Sequence, residues 1–368
     1  MFCGMARPLV GIADGYHSLV LRPDFQIHLH RFLNWMQKDK QQGPRFGSLL
    51  ASLAIAGVVI LTINTVVHFG ARKSLRRHLL HNLERVPAST DTVFIGNSLV
   101  EAGCDTRAFK TAWPDGTTSP APLNLALGDT SPVEHYLIFN RVLSQPIHLK
   151  YVVYGFFDDQ LNAPVSGGFA DLLGNRAFSY YFPVEAAEMY SPGSSLAKRQ
   201  LWLIGHMPML SERSSVWEAV ELVRRKIEEI GLPKHKTNRY GRVDDFAIPE
   251  ARDVPAFNQR CEKVLRDHRG FSRPINEILR LARQHDAKVL FVEMPMPSQH
   301  RKIFYSSPVW LEMRRYLREL SNQSQATYLQ ASDWVGDDSF FEDAMHLNEE
   351  GARLFSAKLA REVAALGK

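Results

Sequence analysis

The hydrophobic and polar positions of the chain predict a regular alternation of strands and helices after residue 91. Short apolar and β-branched runs predict five strands, at 92–98, 122–128, 150–157, 288–295 and 326–332. Helical spacing predicts helices after several of them, at 132–144, 274–285, 308–322 and 348–365. The run at 150–157 is nearly all apolar, as in a strand that is buried on both faces. This alternation indicates parallel βαβ units and an α/β fold, a three-layer α/β/α sandwich.

One long stretch, residues 160–270, interrupts this alternation. It begins with a segment rich in aromatic residues, Gly and Pro at 160–210, continues with an amphipathic helical pattern at 214–230, and becomes polar at 231–255. A loop of this length without structure of its own is improbable inside a compact domain. We therefore predict an inserted cap over about 160–270 that is mostly helical and lies beside the carboxyl edge of the sheet.

The longest uncharged run of the chain is 48–69, which lies between Arg45 and Arg72. About 22 residues are enough to cross a bilayer core in a helix, and the polar Asn64 lies towards one end of the run, where it is tolerated. The run is too long for the apolar region of a secretory signal, so we predict an uncleaved transmembrane helix. The alternative is a buried helix of a soluble domain. Residues 1–47 are then a cytosolic or disordered segment, and 70–90 a basic stalk.

Composition narrows the possible partners. With 45% apolar and 23% charged residues, the chain has the composition of a globular protein with a full-sized core. The net charge of +5 is modest, and basic residues flank the predicted span on both sides, so the flanking charges do not choose its orientation or lean slightly against an exported C-terminus. No basic stripe alternates with aromatic residues, so no nucleic acid is expected. The three cysteines, Cys3, Cys104 and Cys261, are too widely spaced to predict a metal site or a disulfide framework.

Two short stretches carry the candidate chemistry. The first predicted strand stops at Gly96 and Asn97 and presents Ser98 at its carboxyl end, where ligands collect in open α/β sheets. Asp343 and His346 lie three residues apart before the last predicted helix, so both side chains can face one pocket. Alone, Ser98 could be a turn residue and the Asp-x-x-His stretch a helix cap. Together they supply the nucleophile, base and orienting carboxylate of acyl transfer.

These stretches resemble the conserved blocks of the SGNH (GDSL-like) hydrolase superfamily, in its membrane-anchored branch associated with cell-envelope or exopolysaccharide acyl chemistry. Gly96-Asn97-Ser98 corresponds to the first block, Gly128 to the glycine of the second, and Asp343-Ala-Met-His346 to the last. The resemblance implies a flavodoxin-like fold for 91–368, a catalytic triad of Ser98, His346 and Asp343, and backbone N–H groups of Ser98 and Gly128 as oxyanion donors.

At the third block, this chain departs from the usual Gly-x-Asn-Asp of the superfamily, in which the asparagine donates a hydrogen bond to the oxyanion. Here the chain reads Gly155-Phe-Phe-Asp158-Asp159, and the next asparagine is Asn162. An ionised aspartate accepts hydrogen bonds and cannot donate one to an oxyanion. Either another donor, Asn97 or Asn162, takes over, or the chemistry differs from simple hydrolysis, or the activity is weak. Asp158, Asp159 and Asn162 are candidate contacts to substrate, although Asp158 and Asp159 could also be a supporting pair, a metal site or, as we prefer for a loop, solvated side chains. No metal or cofactor is expected.

Three functions remain open from the sequence. The first is a membrane-anchored serine esterase or O-acyltransferase that acts on acylated, for example acetylated, carbohydrate through an acyl-serine. The second is a catalytically weakened module that binds polysaccharide or a membrane partner during envelope assembly. The third is an esterase directed at lipids. By resemblance, we expect a single-pass inner-membrane protein whose globular domain is periplasmic or extracytoplasmic and whose partners include envelope biosynthesis proteins.

Overall fold

A computed structural model describes most of the domain that follows the predicted span. The described residues are 46–71, 83, 85–114, 118–128, 130–165, 182–211, 237–238, 241–242 and 249–366. Nearly all of the predicted N-terminal segment 1–47, most of the stalk 70–90 and the helix predicted at 214–230 lie outside the described residues.

The five strands predicted from the sequence and the four helices predicted at 132–144, 274–285, 308–322 and 348–365 occur in the predicted order, together with elements that were not predicted. The strands are β1 Thr92–Ile95, β2 Pro122–Asn124, β3 Tyr151–Phe156, β4 Thr237–Asn238, β5 Gly241–Arg242, β6 Lys288–Glu293 and β7 Thr327–Gln330. The helices are α1 Phe46–Ala71, α2 Ser98–Gly103, α3 Thr106–Thr111, α4 Pro132–Leu143, α5 Pro183–Tyr190, α6 Ser195–Gly205, α7 Pro208–Ser211, α8 Val254–Arg266, α9 Arg273–Gln284, α10 Ser298–His300, α11 Pro308–Gln323 and α12 Glu349–Ala365. A turn of π-helix, Arg301–Tyr305, follows α10.

Five strands form one parallel sheet in the order β2-β1-β3-β6-β7. Counted along the chain, this is the 2-1-3-4-5 order of the flavodoxin-like fold, so the predicted fold class is confirmed. The central strands β3 and β6 are buried over nearly their whole length, which explains their continuous apolar sequences. Helix α12 packs with α2 and α3, α4 packs with α9, and α8 packs with α11.

Local sequence signals explain where several helices begin. Pro132 occupies the first turn of α4, and the Glu134 carboxylate accepts a hydrogen bond from the Ser131 N–H at 2.9 Å. Asn348 begins α12 because its Oδ1 accepts from the Gly351 N–H at 3.0 Å. Such side chains satisfy backbone N–H groups that have no acceptor inside the helix.

The described helices of the insertion pack in two different places. Helix α6 packs on both α5 and α7, and α5 contacts α4 of the sandwich. The two short strands β4 and β5 form an antiparallel pair. Helix α8 lies within the stretch predicted as a cap, yet it packs against α11 through a buried face that includes Phe257 and Cys261. This helix therefore belongs to the helical layer of the sandwich.

Helix α1 contains a segment, Ala51–Phe69, that is long and apolar enough to cross a membrane. None of its most apolar window is buried against the rest of the chain. By length and composition this is one candidate span among the described residues, and it covers most of the predicted 48–69.

The absence of a side chain at Gly155 brings α2 close to the sheet. A Cβ atom on Gly155 would lie 2.2 Å from Val100 Cγ2 and 2.7 Å from Met294 Sδ. Real contacts of this kind are much longer, so the strand and the helix that carries Ser98 pack together only around a glycine. A Cβ atom on Gly96 would meet the same Val100 methyl group, at 2.3 Å.

Replacing Gly155 with alanine is expected to lower the free energy of unfolding by about 1–3 kcal/mol, because the added methyl group overpacks this contact. Gly270→Ala is the matched control, since a Cβ at Gly270 has no neighbour within 4 Å. Denaturant unfolding of both variants measures the difference. Equal stability of the two variants would contradict the packing described here.

Candidate active site

Ser98 lies where β1 gives way to α2, at the carboxyl edge of the sheet. The chain leaves β1 at Ile95, turns through Gly96 and Asn97, and begins α2 at Ser98. Asn97 caps this helix, and its Oδ1 accepts a hydrogen bond from the Leu99 N–H at 3.0 Å. At the first position of a helix, the N–H of Ser98 has no acceptor within the helix. The Ser98 side chain is half-buried, so it remains in reach of solvent.

His346 and Asp343 come from the loop before α12 and meet Ser98 across 248 residues of chain. Nε2 of His346 lies 2.8 Å from Ser98 Oγ, and its Nδ1 lies 2.9 Å from Asp343 Oδ2. The side chains of His346 and Asp343 are 1% and 0% exposed. The structure therefore brings together all three residues that the sequence predicts as a triad. The separations are those of hydrogen bonds from serine to imidazole and from imidazole to carboxylate.

The Asp343 carboxylate organises the loop as well as the imidazole. Its Oδ1 accepts the backbone N–H groups of Met345 at 2.9 Å and of His346 at 2.8 Å. Burial by itself would raise the pKa of Asp343, but the hydrogen bonds and charge of His346 and these N–H donors outweigh it and hold the pKa below its ordinary value. Asp343 is thus kept as an acceptor for the histidine.

The second-block loop runs beside the serine. The N–H of Gly128 donates to Glu101 Oε2 at 2.6 Å. Glu101 lies three residues after Ser98 in α2, so its carboxylate reaches the predicted oxyanion donor from the same helix that carries the nucleophile. In this structure the Gly128 N–H is therefore already hydrogen-bonded to the Glu101 side chain.

A buried histidine supports the same loop from behind. His135 Nε2 lies 3.0 Å from Thr130 Oγ1, and its Nδ1 lies 2.7 Å from the Tyr154 hydroxyl. The Thr130 hydroxyl also donates to the Leu127 carbonyl at 2.6 Å. Burial lowers the pKa of His135 to about 3, so the ring is neutral and acts as a structural hydrogen-bonding partner at ordinary pH.

At the third-block position, the side chain is a buried carboxylate that accepts hydrogen bonds, where the superfamily has a donor. Asp158 is 5% exposed, and its Oδ1 accepts the Tyr305 hydroxyl at 3.0 Å. Nε2 of the buried His300 lies 3.5 Å from the same oxygen. Asp158 has a φ of 48°, in the left-handed region that Asp and Asn adopt more readily than other residues with a side chain. The carboxylate at this position therefore joins a buried polar cluster with His300 of α10 and Tyr305 of the π-helical turn.

The remaining residues predicted to contact substrate have partners within the chain. Arg260 Nε lies 3.2 Å from Asp159 Oδ1. The side-chain Nδ2 of Asn162 donates to the carbonyls of Arg269 at 3.0 Å and Gly270 at 2.9 Å. Both amide protons of Asn162 are thereby used. To replace the third-block asparagine as an oxyanion donor, Asn162 would have to give up one of these two hydrogen bonds, whereas Asn97 has an amide nitrogen that its contact with Leu99 does not use.

Some residues at this edge were not found from the sequence. The spacing of Glu101 from Ser98, one helical turn, was a usable signal that the two share the same surroundings. His300 and Tyr305 had no such signal, because the fold brings them to Asp158 from a distant part of the chain. Glu293, at the end of β6, is fully buried and binds Arg314 in an ion pair, which the apolar strand around it did not indicate.

Among the described residues, no group of three or more His, Cys, Asp or Glu side chains is arranged to hold a metal ion. Cys104 and Cys261 are buried free thiols, and burial raises the pKa of each well above its ordinary value. Neither thiol therefore has the character of a reactive thiolate.

Comparison with known proteins gives similarities of structure alone. No family model and no curated protein matches the chain. Among solved structures, a proposed acylhydrolase from Bacteroides fragilis matches at a TM-score of 0.37 and 10% identity, over 80% of this chain and 97% of that one. TesA matches at 0.35 and 10%, over 75% and 99%. A lipase/acylhydrolase from Enterococcus faecalis matches at 0.34 and 13%, over 75% and 96%. These values are too low to transfer a substrate or a site residue.

Proposed function

We propose that this chain is a membrane-anchored serine hydrolase of the SGNH type, an esterase or O-acyltransferase that acts on acylated carbohydrate. The observation that carries the proposal is the continuous line of hydrogen bonds from Asp343 through His346 to Ser98, with separations of 2.9 and 2.8 Å. The order of the three sequence blocks and the 2-1-3-4-5 sheet support the same assignment.

In the proposed reaction, His346 Nε2 takes the proton of Ser98 as Oγ attacks the carbonyl carbon of an ester. The carbonyl π bond breaks, and its electron pair moves to the oxygen. When the tetrahedral intermediate collapses, the bond to the alkoxy group breaks and His346 returns the proton to the departing alcohol, which leaves an acyl-serine. Asp343 holds the imidazole in one orientation and stabilises its cation. Water, or a sugar hydroxyl, then attacks the acyl carbon while His346 takes its proton. The bond from this carbon to Ser98 Oγ breaks, and His346 returns the proton to Oγ, which releases the acid or the acylated sugar.

The oxyanion formed in each step needs hydrogen-bond donors. The N–H of Ser98 is suited to this role because it has no acceptor within α2. The Gly128 N–H can join it only when the Glu101 carboxylate gives up its 2.6 Å hydrogen bond. Asn97 is the third candidate, through the amide nitrogen that its Oδ1 contact with Leu99 leaves over.

The membrane anchor and the carbohydrate substrate are parts of this proposal with separate support. Helix α1 has the length and composition of a span, and the sequence resembles the envelope-associated branch of the superfamily. We propose that the globular domain faces the periplasm or another extracytoplasmic space, where acylated polysaccharide is found. A reporter fused to the C-terminus tests this orientation, and a cytosolic signal would remove exported polysaccharide as the substrate.

The full-length protein in detergent is expected to react with a fluorophosphonate probe, because such probes label serines that a neighbouring base activates. Peptide mass mapping should place one adduct on Ser98. Hydrolysis rates on p-nitrophenyl acetate and on a long-chain ester then test the class of substrate. We expect the shorter ester to be hydrolysed faster. Preference for the long chain would favour an esterase directed at lipids.

A second function, a binding module with weakened catalysis, has a specific observation in its favour. Asp158 stands in place of a neutral donor, and the Gly128 N–H is already engaged by Glu101. The loss of one oxyanion donor costs about 100- to 1000-fold in rate in other enzymes. A folded protein that takes up no probe, yet binds polysaccharide, would establish this function in place of the first.

A further inference from the structure

We infer that α6 and the turn into α7 lie in the interfacial layer of the membrane, beside α1, with the exposed face of α6 in contact with lipid. The inference rests on the proposal that α1 spans a bilayer and goes beyond it. It concerns a surface that the triad does not use, and it assigns that surface one partner, a phospholipid bilayer.

The insertion is attached to the candidate span. Helix α7 packs on α1, and the Met209 N–H donates to Asn64 Oδ1 at 3.0 Å. The side of α1 that is partly covered includes Asn64, Val67 and His68, which recur at helical spacing, whereas most other side chains of the helix are exposed. The polar side chain inside the apolar run thus has a hydrogen-bond donor supplied by the insertion.

The level of this contact determines where the insertion lies. Asn64 precedes the last residue of the candidate span, Phe69, by five residues, or about 7 Å along a helix axis. A backbone N–H that reaches Asn64 must therefore lie inside the apolar zone, below the point where the span meets the headgroups. Interfacial helices bury their apolar side about 5–10 Å into this boundary, which is the same depth.

Helix α6, which leads directly into α7, exposes an apolar face of the right kind. Leu196 is 63% exposed, Trp202 54% and Leu203 53%, whereas Leu201 and Ile204 on the opposite side are buried. Leu196 and Leu203 are seven residues apart and therefore point the same way on a helix. Trp is the side chain most characteristic of the boundary between lipid and water.

The other side chains of this face agree with lipid rather than a protein partner. Arg199 and His206 are exposed on the same side as Leu203, where a basic group can reach lipid phosphates while its neighbours enter the apolar layer. The face is also continuous with α1, whose apolar surface already requires lipid. A salt bridge joins Lys198 of α6 to Glu188 of α5.

Depth-dependent fluorescence quenching of the full-length protein tests the inference. Single labels of the fluorophore NBD are placed at Leu203→Cys on α6, Leu61→Cys on α1 and Leu354→Cys on α12, in a Cys3→Ser background that retains the two buried cysteines. Leu61 and Leu354 are 66% and 39% exposed, so all three positions accept a label. Leu196→Cys gives a second position on the α6 face if one label disturbs folding. Each protein is reconstituted in phosphatidylcholine vesicles that contain spin-labelled lipid.

A spin label near the headgroup is expected to lower the emission at Leu203 by about twofold or more, as for an interfacial helix. A deep spin label should act most on Leu61, and aqueous iodide most on Leu354. If Leu203 behaves as Leu354 while Leu61 is quenched, α1 spans the bilayer and the inference about α6 is overturned. If Leu203 is shielded from lipid and iodide alike, a protein covers the face and the inference is equally overturned. If Leu61 itself is unquenched, the anchor proposal fails, independently of the catalytic proposal.

Discussion

Replacing Ser98 with alanine is expected to lower the rate of ester hydrolysis by about 10⁴- to 10⁶-fold, the range seen when a triad loses its nucleophile. The acyl-serine cannot form, because alanine offers no oxygen to the carbonyl carbon. The variant should also take up no fluorophosphonate. Its fold is expected to remain, because Ser98 begins a helix whose cap is Asn97 and whose packing residues, Leu99 and Val100, are unchanged.

The matched control is Ser306→Ala. Ser306 is exposed, and its hydroxyl donates to the Lys302 carbonyl within one helical turn. The change therefore removes a serine hydroxyl that has no part in the proposed reaction. Full activity and full labelling of this variant, beside their loss in Ser98→Ala, would assign the reaction to Ser98. Hydrolysis that survives in Ser98→Ala would show that another group carries it, and the proposed mechanism would be wrong.

The core of the fold could be predicted because its signals are local. The central strands of the sheet have mostly apolar sequences, and each helix predicted after a strand begins with a recognisable cap or proline, such as Pro132 of α4 and Asn348 of α12. Local patterns of this kind give both the type and the order of the elements. For a parallel sheet with helical crossovers, the order then leaves few possible arrangements.

The parts of the site that could not be predicted depend on contacts between distant residues. The Asn162 amide is consumed by carbonyls 107 and 108 residues away, and Asp158 is held by Tyr305 at a separation of 147. No local pattern reports such partners. Asn64 is the same kind of case, since the sequence indicated only a tolerable polar residue, and its donor, Met209, lies 145 residues further on.

Helix α4 connects the candidate active site with the insertion that carries the exposed face of α6. The loop of Gly128 and Thr130 leads into α4, and α5 of the insertion packs on α4 before the chain continues to α6 and the candidate span. A bilayer that positions α6 would thus also position the layer next to the serine.

Replacing Asp343 with asparagine is expected to lower kcat by about 10⁴-fold, the effect of the same change in other serine triads. Asparagine keeps an oxygen for the backbone N–H groups of Met345 and His346, so the loop should hold its shape. Its NH₂ group, however, donates to Nδ1 of His346 instead of accepting from it. The ring proton then moves to Nε2, and this nitrogen can no longer take the proton of Ser98.

The measurement is kcat on p-nitrophenyl acetate beside a thermal unfolding curve. Asp267→Asn is the matched control. The Asp267 carboxylate accepts a hydrogen bond from Arg269 at the surface, at 2.8 Å, so this variant carries the same change from carboxylate to amide with no histidine as partner. We expect the unfolding curves of the two variants to be similar and their kcat values to differ by the full factor. That combination separates the orienting role of Asp343 from a structural one. A kcat close to that of the parent would mean that Ser98 and His346 act as a dyad, and that the Asp343 carboxylate serves the loop alone.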